Sequence, residues 1–177
     1  MFERVCKTGA ALVLALSGTA ALGAEDACAP LSGGFLFCPG ESAWADAEVV
    51  PFSNGVAFDL PPFWLEVMEA PEEIAQASTL DAALDALIAL VAEQARNEGL
   101  DAPEELARDR FDLEQLEAVT LTTRIELPED DPMVFVTMIA EKEDRRLFVT
   151  LDHEDEVVAD VEQEFRRIAG FFTLQEE

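Results

Sequence analysis

The spacing of apolar residues changes three times along this chain, and each change marks a switch of secondary structure. Apolar runs between residues 49 and 68 are short and extended, whereas those from 80 to 95 recur every three or four residues. From 119 to 151 the spacing returns to two, and from 157 to 172 it is helical again. Period two is typical of strands and period 3.6 of amphipathic helices. This order predicts an α+β fold in which helices flank an antiparallel sheet.

The first predicted strands form a meander. Val49–Phe52 and Val56–Leu60 flank Ser53-Asn54-Gly55, and Asn-Gly between apolar runs is a strong hairpin signal because both residues tolerate positive φ. Pro61 and Pro62 end the second strand, and Trp64–Met68 is predicted as a third.

Two helices are predicted next. In the longer one, Leu80, Leu84, Leu87, Ile88, Val91 and Ala95 share a face. Ser78 with Asp81 resembles a capping arrangement, and Gly99 supplies the stop. A shorter helix is predicted from Pro103 to about Arg110, with Asp101 as its cap.

Three antiparallel strands and a final helix complete the prediction. Val119, Leu121, Thr123, Ile125 and Leu127 alternate with polar residues, which predicts a strand with one buried and one wet face. After a turn at Pro128–Pro132, strands are predicted at Met133–Ala140 and Arg146–Leu151. A helix from about Glu154 carries Val157, Val161, Phe165, Ile168 and Phe172 on the face that closes over the sheet.

The first 24 residues have the layout of an export signal. Arg4 and Lys7 precede an uncharged apolar stretch, Gly9–Leu22, and small residues before Glu25 favour cleavage after Ala24. The stretch is short for a membrane anchor, which needs about 20 apolar residues. We therefore predict a periplasmic or secreted protein without stable membrane insertion. Residues 1–24 are the signal, 25–44 an N-terminal segment and 45–177 a single α+β domain.

Two cysteines remain after the signal, Cys28 and Cys38. Leu31-Ser-Gly-Gly-Phe35 between them is able to turn back, so in an oxidising compartment we predict a disulfide. A redox pair is the weaker interpretation, since redox motifs usually place their thiols two residues apart.

The chain is strongly acidic. Its net charge is −27, and loss of the signal with Arg4, Lys7 and Glu3 makes it −28. Such a charge disfavours nucleic acid and anionic lipid and favours basic proteins or cations as partners. The alternative is that acidity only keeps an exported protein soluble.

One segment carries a family resemblance. Gly55-Val-Ala-Phe58-Asp-Leu-Pro61-Pro-Phe-Trp64 resembles the opening of PsbP/Mog1-like domains, in which a Gly-aromatic strand runs into Pro and then Trp. The order of elements is similar over residues 45–174. The resemblance implies a non-enzymatic α/β/α sandwich that binds another protein, here an exported member of the family. The acidity and the cysteine pair depart from those relatives.

The residues that carry chemistry form no recognisable catalytic or cofactor motif. His153 is the only histidine and is predicted at the start of the last helix; a metal site would need further converging ligands. The acidic runs at Glu126 with Glu129–Asp131 and at Glu141–Asp144 lack the pattern of an EF-hand. We predict no enzyme, no metal and no cofactor. The favoured function is an exported protein-interaction module, and the alternative is a small acidic hydrolase or a calcium-binding protein.

Aromatic residues are concentrated in the N-terminal third, and most are expected in the core. Trp44 and Phe63 are predicted to be partly exposed and to anchor an extracytoplasmic partner protein. The acidic turn residues Glu129, Asp130 and Asp131 are predicted as further contacts for a basic partner.

Overall fold

The computed structural model describes residues 28–113, 116–127, 132–142, 145–153 and 158–175. Ten strands and three helices lie in this part of the chain. The strands are β1 (Ala29–Pro30), β2 (Phe35–Phe37), β3 (Glu48–Phe52), β4 (Gly55–Leu60), β5 (Phe63–Met68), β6 (Glu104–Leu113), β7 (Leu116–Ile125), β8 (Met133–Lys142), β9 (Arg145–His153) and β10 (Phe172–Leu174). The helices are α1 (Glu72–Ala75), α2 (Leu80–Asn97) and α3 (Val158–Ala169).

Seven strands form one antiparallel sheet in the order β3-β4-β5-β9-β8-β7-β6. Both predicted meanders are confirmed: β3, β4 and β5 are neighbours, and so are β7, β8 and β9. A second sheet, in the order β1-β2-β10, joins the two ends of the described chain. The predicted α+β class is confirmed, and the chain forms a single domain.

The first hairpin is confirmed, although its turn differs from the prediction. Phe52 pairs with Gly55, so the loop consists of Ser53 and Asn54 alone. Gly55 lies in β4 and is not among the glycines with positive φ. It is required for close packing, because a Cβ there would approach the Val67 carbonyl oxygen to 2.3 Å.

Helices cover the two faces of the sheet. On one face, α2 packs against β7 and β8, where Leu84 and Leu87 join Val119 and Ile139 in a core cluster. On the other face, α3 packs against β8 and β9, and Phe165 belongs to a larger cluster that includes Met138. We call these the α2 face and the α3 face.

This arrangement explains why the prediction of a wet face on β7 is wrong. Thr120 and Thr122 are buried on the α3 face, and the Thr122 hydroxyl donates to the Glu162 carboxylate of α3 at 2.9 Å. Because each face of the strand lies under a helix, polar residues there are buried and need partners within the protein.

The predicted helix from Pro103 to Arg110 is also wrong, because this segment forms β6. Its residues have good helix propensity, yet β6 pairs along its length with β7. Arg108 and Arg110 project towards α2 and bind Asp85 and Asp81, each at 2.9 Å. Arg108 and Arg110 therefore contact the same helix, as alternate residues of a strand do. The intervening Asp109 is also charged, so charge shows no period of two in this segment of the sequence.

The long helix α2 is confirmed, with a different first residue. Thr79, not Ser78, is its N-cap, and its hydroxyl accepts a hydrogen bond from the Ala82 N–H at 3.1 Å. At the other end Gly99 has φ of 75°, and the Leu100 N–H donates to the Ala95 carbonyl at 2.8 Å. This hydrogen bond gives a carbonyl group of the last helical turn a partner, as in a Schellman motif.

The final helix α3 is confirmed, and its C-terminal end differs from the prediction, whereas its predicted start at about Glu154 lies outside the described residues. His153 is the last residue of β9 and does not begin the helix. Phe172 lies in β10, because the chain turns at Gly170 and Phe171 and pairs Phe172 with Phe37. Phe172 is buried and Phe171 is half-buried.

Candidate protein-interaction surface

The N-terminal segment is bound to the domain by covalent and backbone contacts. The predicted disulfide between Cys28 and Cys38 is present, with a Cα–Cα distance of 4.2 Å. The Cys38 N–H donates to the Phe171 carbonyl at 2.8 Å, and β2 pairs with β10. The ring of Phe37 lies 4.5 Å from that of Phe58 in β4. This segment is therefore part of the core on the α3 face.

Trp44 is buried, so the prediction that it is partly exposed is wrong. It lies in a 3-10 turn, Ala43–Asp46, and only 1% of its surface is accessible. Its indole N–H donates to the Glu164 carboxylate at 2.6 Å. Burial of an indole requires such an acceptor, and α3 supplies it from a distant part of the sequence.

The contacts of Glu164 make stability depend on pH. Burial raises the pKa of this carboxyl, but hydrogen bonds from Arg167 and Trp44 and the charge of Arg167 outweigh burial and hold the pKa below its ordinary value. A lowered folded-state pKa contributes stability above the unfolded pKa, about 4.3, and that contribution is lost as pH falls through the folded pKa. We expect Glu164→Gln to lose less stability than wild type on acidification, measured by denaturant unfolding at a series of pH values.

Trp44→Phe serves as the control for this experiment. It removes one of the hydrogen bonds that lower the pKa of Glu164 while keeping an aromatic ring. The loss of stability of Trp44→Phe on acidification should therefore be intermediate between that of wild type and that of Glu164→Gln. Parallel pH dependences for wild type and Glu164→Gln would contradict the assignment.

The other predicted contact residues are placed as follows. Phe63 is half-buried, with its ring centroid 6.4 Å from Trp44 and 4.8 Å from His153. The structure thus brings Trp44 and Phe63 together, at the margin of the core. Glu129, Asp130 and Asp131 lie outside the described residues, and partner binding by them and by Phe63 stays a prediction.

A free edge of the large sheet carries exposed apolar side chains that the sequence did not single out. In β3, Val49 is 52% exposed and Phe52 is 36% exposed. Among the described residues the other large hydrophobic side chain of this kind is Leu106, on β6 at the opposite edge. We call β3 with Ser53 and Asn54 the hairpin edge. Pro51 lacks the N–H that an added strand would use, so this edge favours contact through side chains.

Next to the hairpin edge lies a part of the α2 face that α2 does not cover, because α2 packs against β7 and β8. The register aligns Asp59, Trp64, Asp152 and Phe135 across four neighbouring strands, and Val50, Ala57 and Glu66 form the next row. The Trp64 indole N–H donates to Glu66 at 2.8 Å. We call the half-exposed members of these rows the Trp64 face: Val50, Asp59, Trp64, Glu66, Phe135 and Asp152.

Charge is divided unevenly between the two ends of the sheet. Residues 28–95, which include β3, β4 and β5, contain many acidic residues but no Lys, Arg or His. Arginines of β6 and α3 pair with acids at the other end, as in Arg108 with Asp85 and Arg166 with Asp109. The hairpin edge and the members of the Trp64 face on β3, β4 and β5 are therefore acidic, with no basic residue in their own segment. This signal was visible in the sequence, as a run without cations.

The described residues form no recognisable catalytic or metal arrangement. Within them, no group of three or more His, Cys, Asp or Glu is placed to hold a metal ion. The acidic runs that motivated the calcium and hydrolase alternatives fall largely on residues outside that part of the chain. None of the helices that the structure describes is long and apolar enough to cross a membrane.

Comparison with known proteins shows that the chain is similar to one of them in fold but to none in sequence family. No model of a protein family matches the chain, and no curated protein sequence matches it. Cyanobacterial PsbP (CyanoP) from Synechocystis sp. PCC 6803 is similar in structure, with a TM-score of 0.59, 16% sequence identity, and coverage of 90% of this chain and 98% of that one. A protein of unknown function from Pseudomonas aeruginosa, PA94, aligns over 77% of this chain and 89% of its own at 16% identity, with a TM-score of 0.42. The likeness to CyanoP shows that the chain has a PsbP-like fold.

Proposed function

We propose that this chain is an exported, acidic, non-enzymatic module that binds another protein through its hairpin edge and the Trp64 face. The observation that carries the proposal is the coincidence of exposed apolar residues, Val49 and Phe52, with an acidic surface at one end of the sheet. Interaction sites combine apolar anchors with a polar surround, and Val49 and Phe52 lie on the same edge strand, one on each face of the sheet.

Two further observations support extracytoplasmic action. The Cys28–Cys38 disulfide is typical of proteins that work in oxidising compartments. The first 24 residues have the composition of a cleavable signal. If the signal is removed as we propose, N-terminal sequencing of the recovered protein will begin at Glu25.

The proposal is tested by capture of the partner with matched variants. The chain is expressed with a C-terminal tag in its own host, crosslinked lightly, and purified from the extracytoplasmic fraction for mass spectrometry. We expect a reproducible partner that is lost from the double variant Val49→Ser, Phe52→Ser. Interface anchors of this size typically contribute about 1–2 kcal/mol each, so the double variant should weaken binding by roughly 30-fold or more.

The control is Leu106→Ser, which removes an equally exposed apolar side chain from the opposite edge. It should retain the partner. Equal loss in both variants would show that general surface hydrophobicity governs capture. Retention in both would show that the hairpin edge is not the contact.

A further inference from the structure

We infer that the partner is a protein with an apolar cleft that encloses β3, so that one wall of the cleft contacts Val49 and the other contacts Phe52. The inference rests on the proposed function and specifies the shape and the chemistry of the partner. It follows from a run of apolar residues on the edge strand, from the contacts that hold the hairpin, and from the charges around it.

The edge strand β3 is apolar on both faces of the sheet. Val49 lies opposite Phe58 and so on the α3 face, whereas Phe52 lies opposite Gly55 on the α2 face. The two residues between them are apolar as well, and no residue of this strand is buried. A strand with one covered and one wet face alternates apolar with polar residues. Here neither face has that pattern.

Folding does not require this apolar run. Pro51 protects the backbone of the edge, because it cannot donate a hydrogen bond to an added strand. A polar side chain in place of Val49 would keep the pairing with β4 and expose less apolar surface. An exposed run of apolar residues is unfavourable for a soluble protein unless it has a function. The run therefore favours contact with another molecule through side chains on both faces.

The hairpin holds these side chains in a fixed position. The Glu69 N–H, just after β5, donates to the Asn54 carbonyl in the turn at 3.0 Å. A Cβ at Gly55 would lie 2.8 Å from Cζ of Phe52, so the phenyl ring lies over this glycine. A side chain that is already ordered loses less conformational entropy on binding. The hairpin is therefore suited to enter a preformed cleft.

The positions of the two side chains define the shape of the partner. A surface packed on one face of the sheet would cover either Val49 or Phe52 and leave the other in water. Layers packed on a sheet lie about 10 Å from it, so walls that cover both faces are about 20 Å apart, measured between backbones. Because β3 is the last strand of the sheet, such a cleft can take it from the free edge.

The charges around the apolar run define the rim of the cleft. Exposed acidic residues lie at both ends of the run, Asp46 and Glu48 before it and Glu69 beside the turn. Residues 28–95 contain no Lys, Arg or His. Charge complementarity at the rim of an interface steers association, so the rim of the cleft should be basic. A second copy of this chain does not supply that complement, because its net charge is −27.

The experiment maps the partner from each face of the strand. Photoreactive benzoylphenylalanine replaces Val49, Phe52 or Leu106, one at a time, in the tagged full chain expressed in its own host. After irradiation, the crosslinked peptides are identified by mass spectrometry. We expect positions 49 and 52 to crosslink to one partner protein but to different segments of it. Leu106, equally exposed on the opposite edge, should give no crosslink to that protein.

Single variants measure the two contacts in binding titrations with the captured partner. Val49→Ser and Phe52→Ser should each weaken binding by about 5- to 30-fold, and Leu106→Ser should not. Pro51→Val supplies the missing N–H together with an apolar side chain, and it should change binding by less than about 3-fold. Thermal unfolding of each variant verifies that it is folded.

Several outcomes would overturn the inference. Crosslinks from one position only, or from both positions to the same segment, would indicate a flat partner surface. Crosslinks between copies of this chain would indicate a dimer, and tighter binding by Pro51→Val would indicate an added strand.

The proposed function fails separately from the cleft. If capture depends on the hairpin edge but only one of the two single variants weakens binding, the interaction module stands and the cleft is wrong. If neither position crosslinks to another protein and capture does not depend on the hairpin edge, both are wrong.

Discussion

Trp44→Ala is expected to lower the free energy of unfolding by about 3–5 kcal/mol. The side chain is 1% exposed, packs near Phe63 and donates to Glu164, so truncation leaves a cavity and removes a hydrogen bond from a half-buried carboxylate. For a domain of this size, each kcal/mol corresponds to roughly 2–4 °C in Tm, so Tm should fall by roughly 6–20 °C. Differential scanning calorimetry measures both quantities.

The matched control is Trp64→Ala, the same substitution at a half-exposed site. It should cost far less stability because water already reaches that side chain. Partner capture by Trp44→Ala, measured well below its Tm, should remain intact, since Trp44 does not contribute to the surface. Loss of capture by a folded Trp44→Ala protein would show that the N-terminal turn, and not the hairpin edge, contacts the partner.

Removal of the disulfide should have the second largest effect. The bond closes a loop with a sequence separation of 10, for which the chain-entropy argument gives about 2–3 kcal/mol. The double variant Cys28→Ser, Cys38→Ser should therefore unfold at lower denaturant concentration, with a slightly steeper slope because its unlinked unfolded state exposes more surface. Because β2 pairs with β10, hydrogen exchange should increase in both strands.

Reducing agent provides the control for the disulfide. It should shift the wild-type transition towards that of the double variant and leave the variant unchanged. A wild-type protein insensitive to reduction under unfolding conditions would contradict the assignment of stability to this bond.

Much of the fold follows from local patterns. Two short apolar runs separated by a segment with Asn-Gly predict the β3–β4 hairpin, and helical spacing from Leu80 to Ala95 predicts α2. These signals are local because each is set by which side chains share a face of one element. The short cysteine spacing likewise allowed the disulfide to be predicted, since nearby thiols separated by a glycine-containing turn readily meet.

The errors occur where distant residues decide the outcome. Residues 104–110 have the composition of a helix, but pairing with β7 and ion pairs with α2 hold them as a strand. Trp44 has polar and small neighbours in sequence, yet α3 and the sheet bury it. For residues 104–110, the free energy of tertiary contacts exceeds a helix preference of a few tenths of a kcal/mol per residue.

The sequence by itself shows the acidity of the candidate surface but not which residues form it. The acidity and the absence of cations from residues 28–95 are properties of the sequence, and the proposal of a basic partner rests on them. The pairing of strands in the sheet determines which acidic residues lie together on the surface. Its strand order places Asp59 and Asp152, far apart in the chain, on either side of Trp64. Local spacing specifies the faces of single strands, whereas the neighbours across a sheet exist only after the strands have paired.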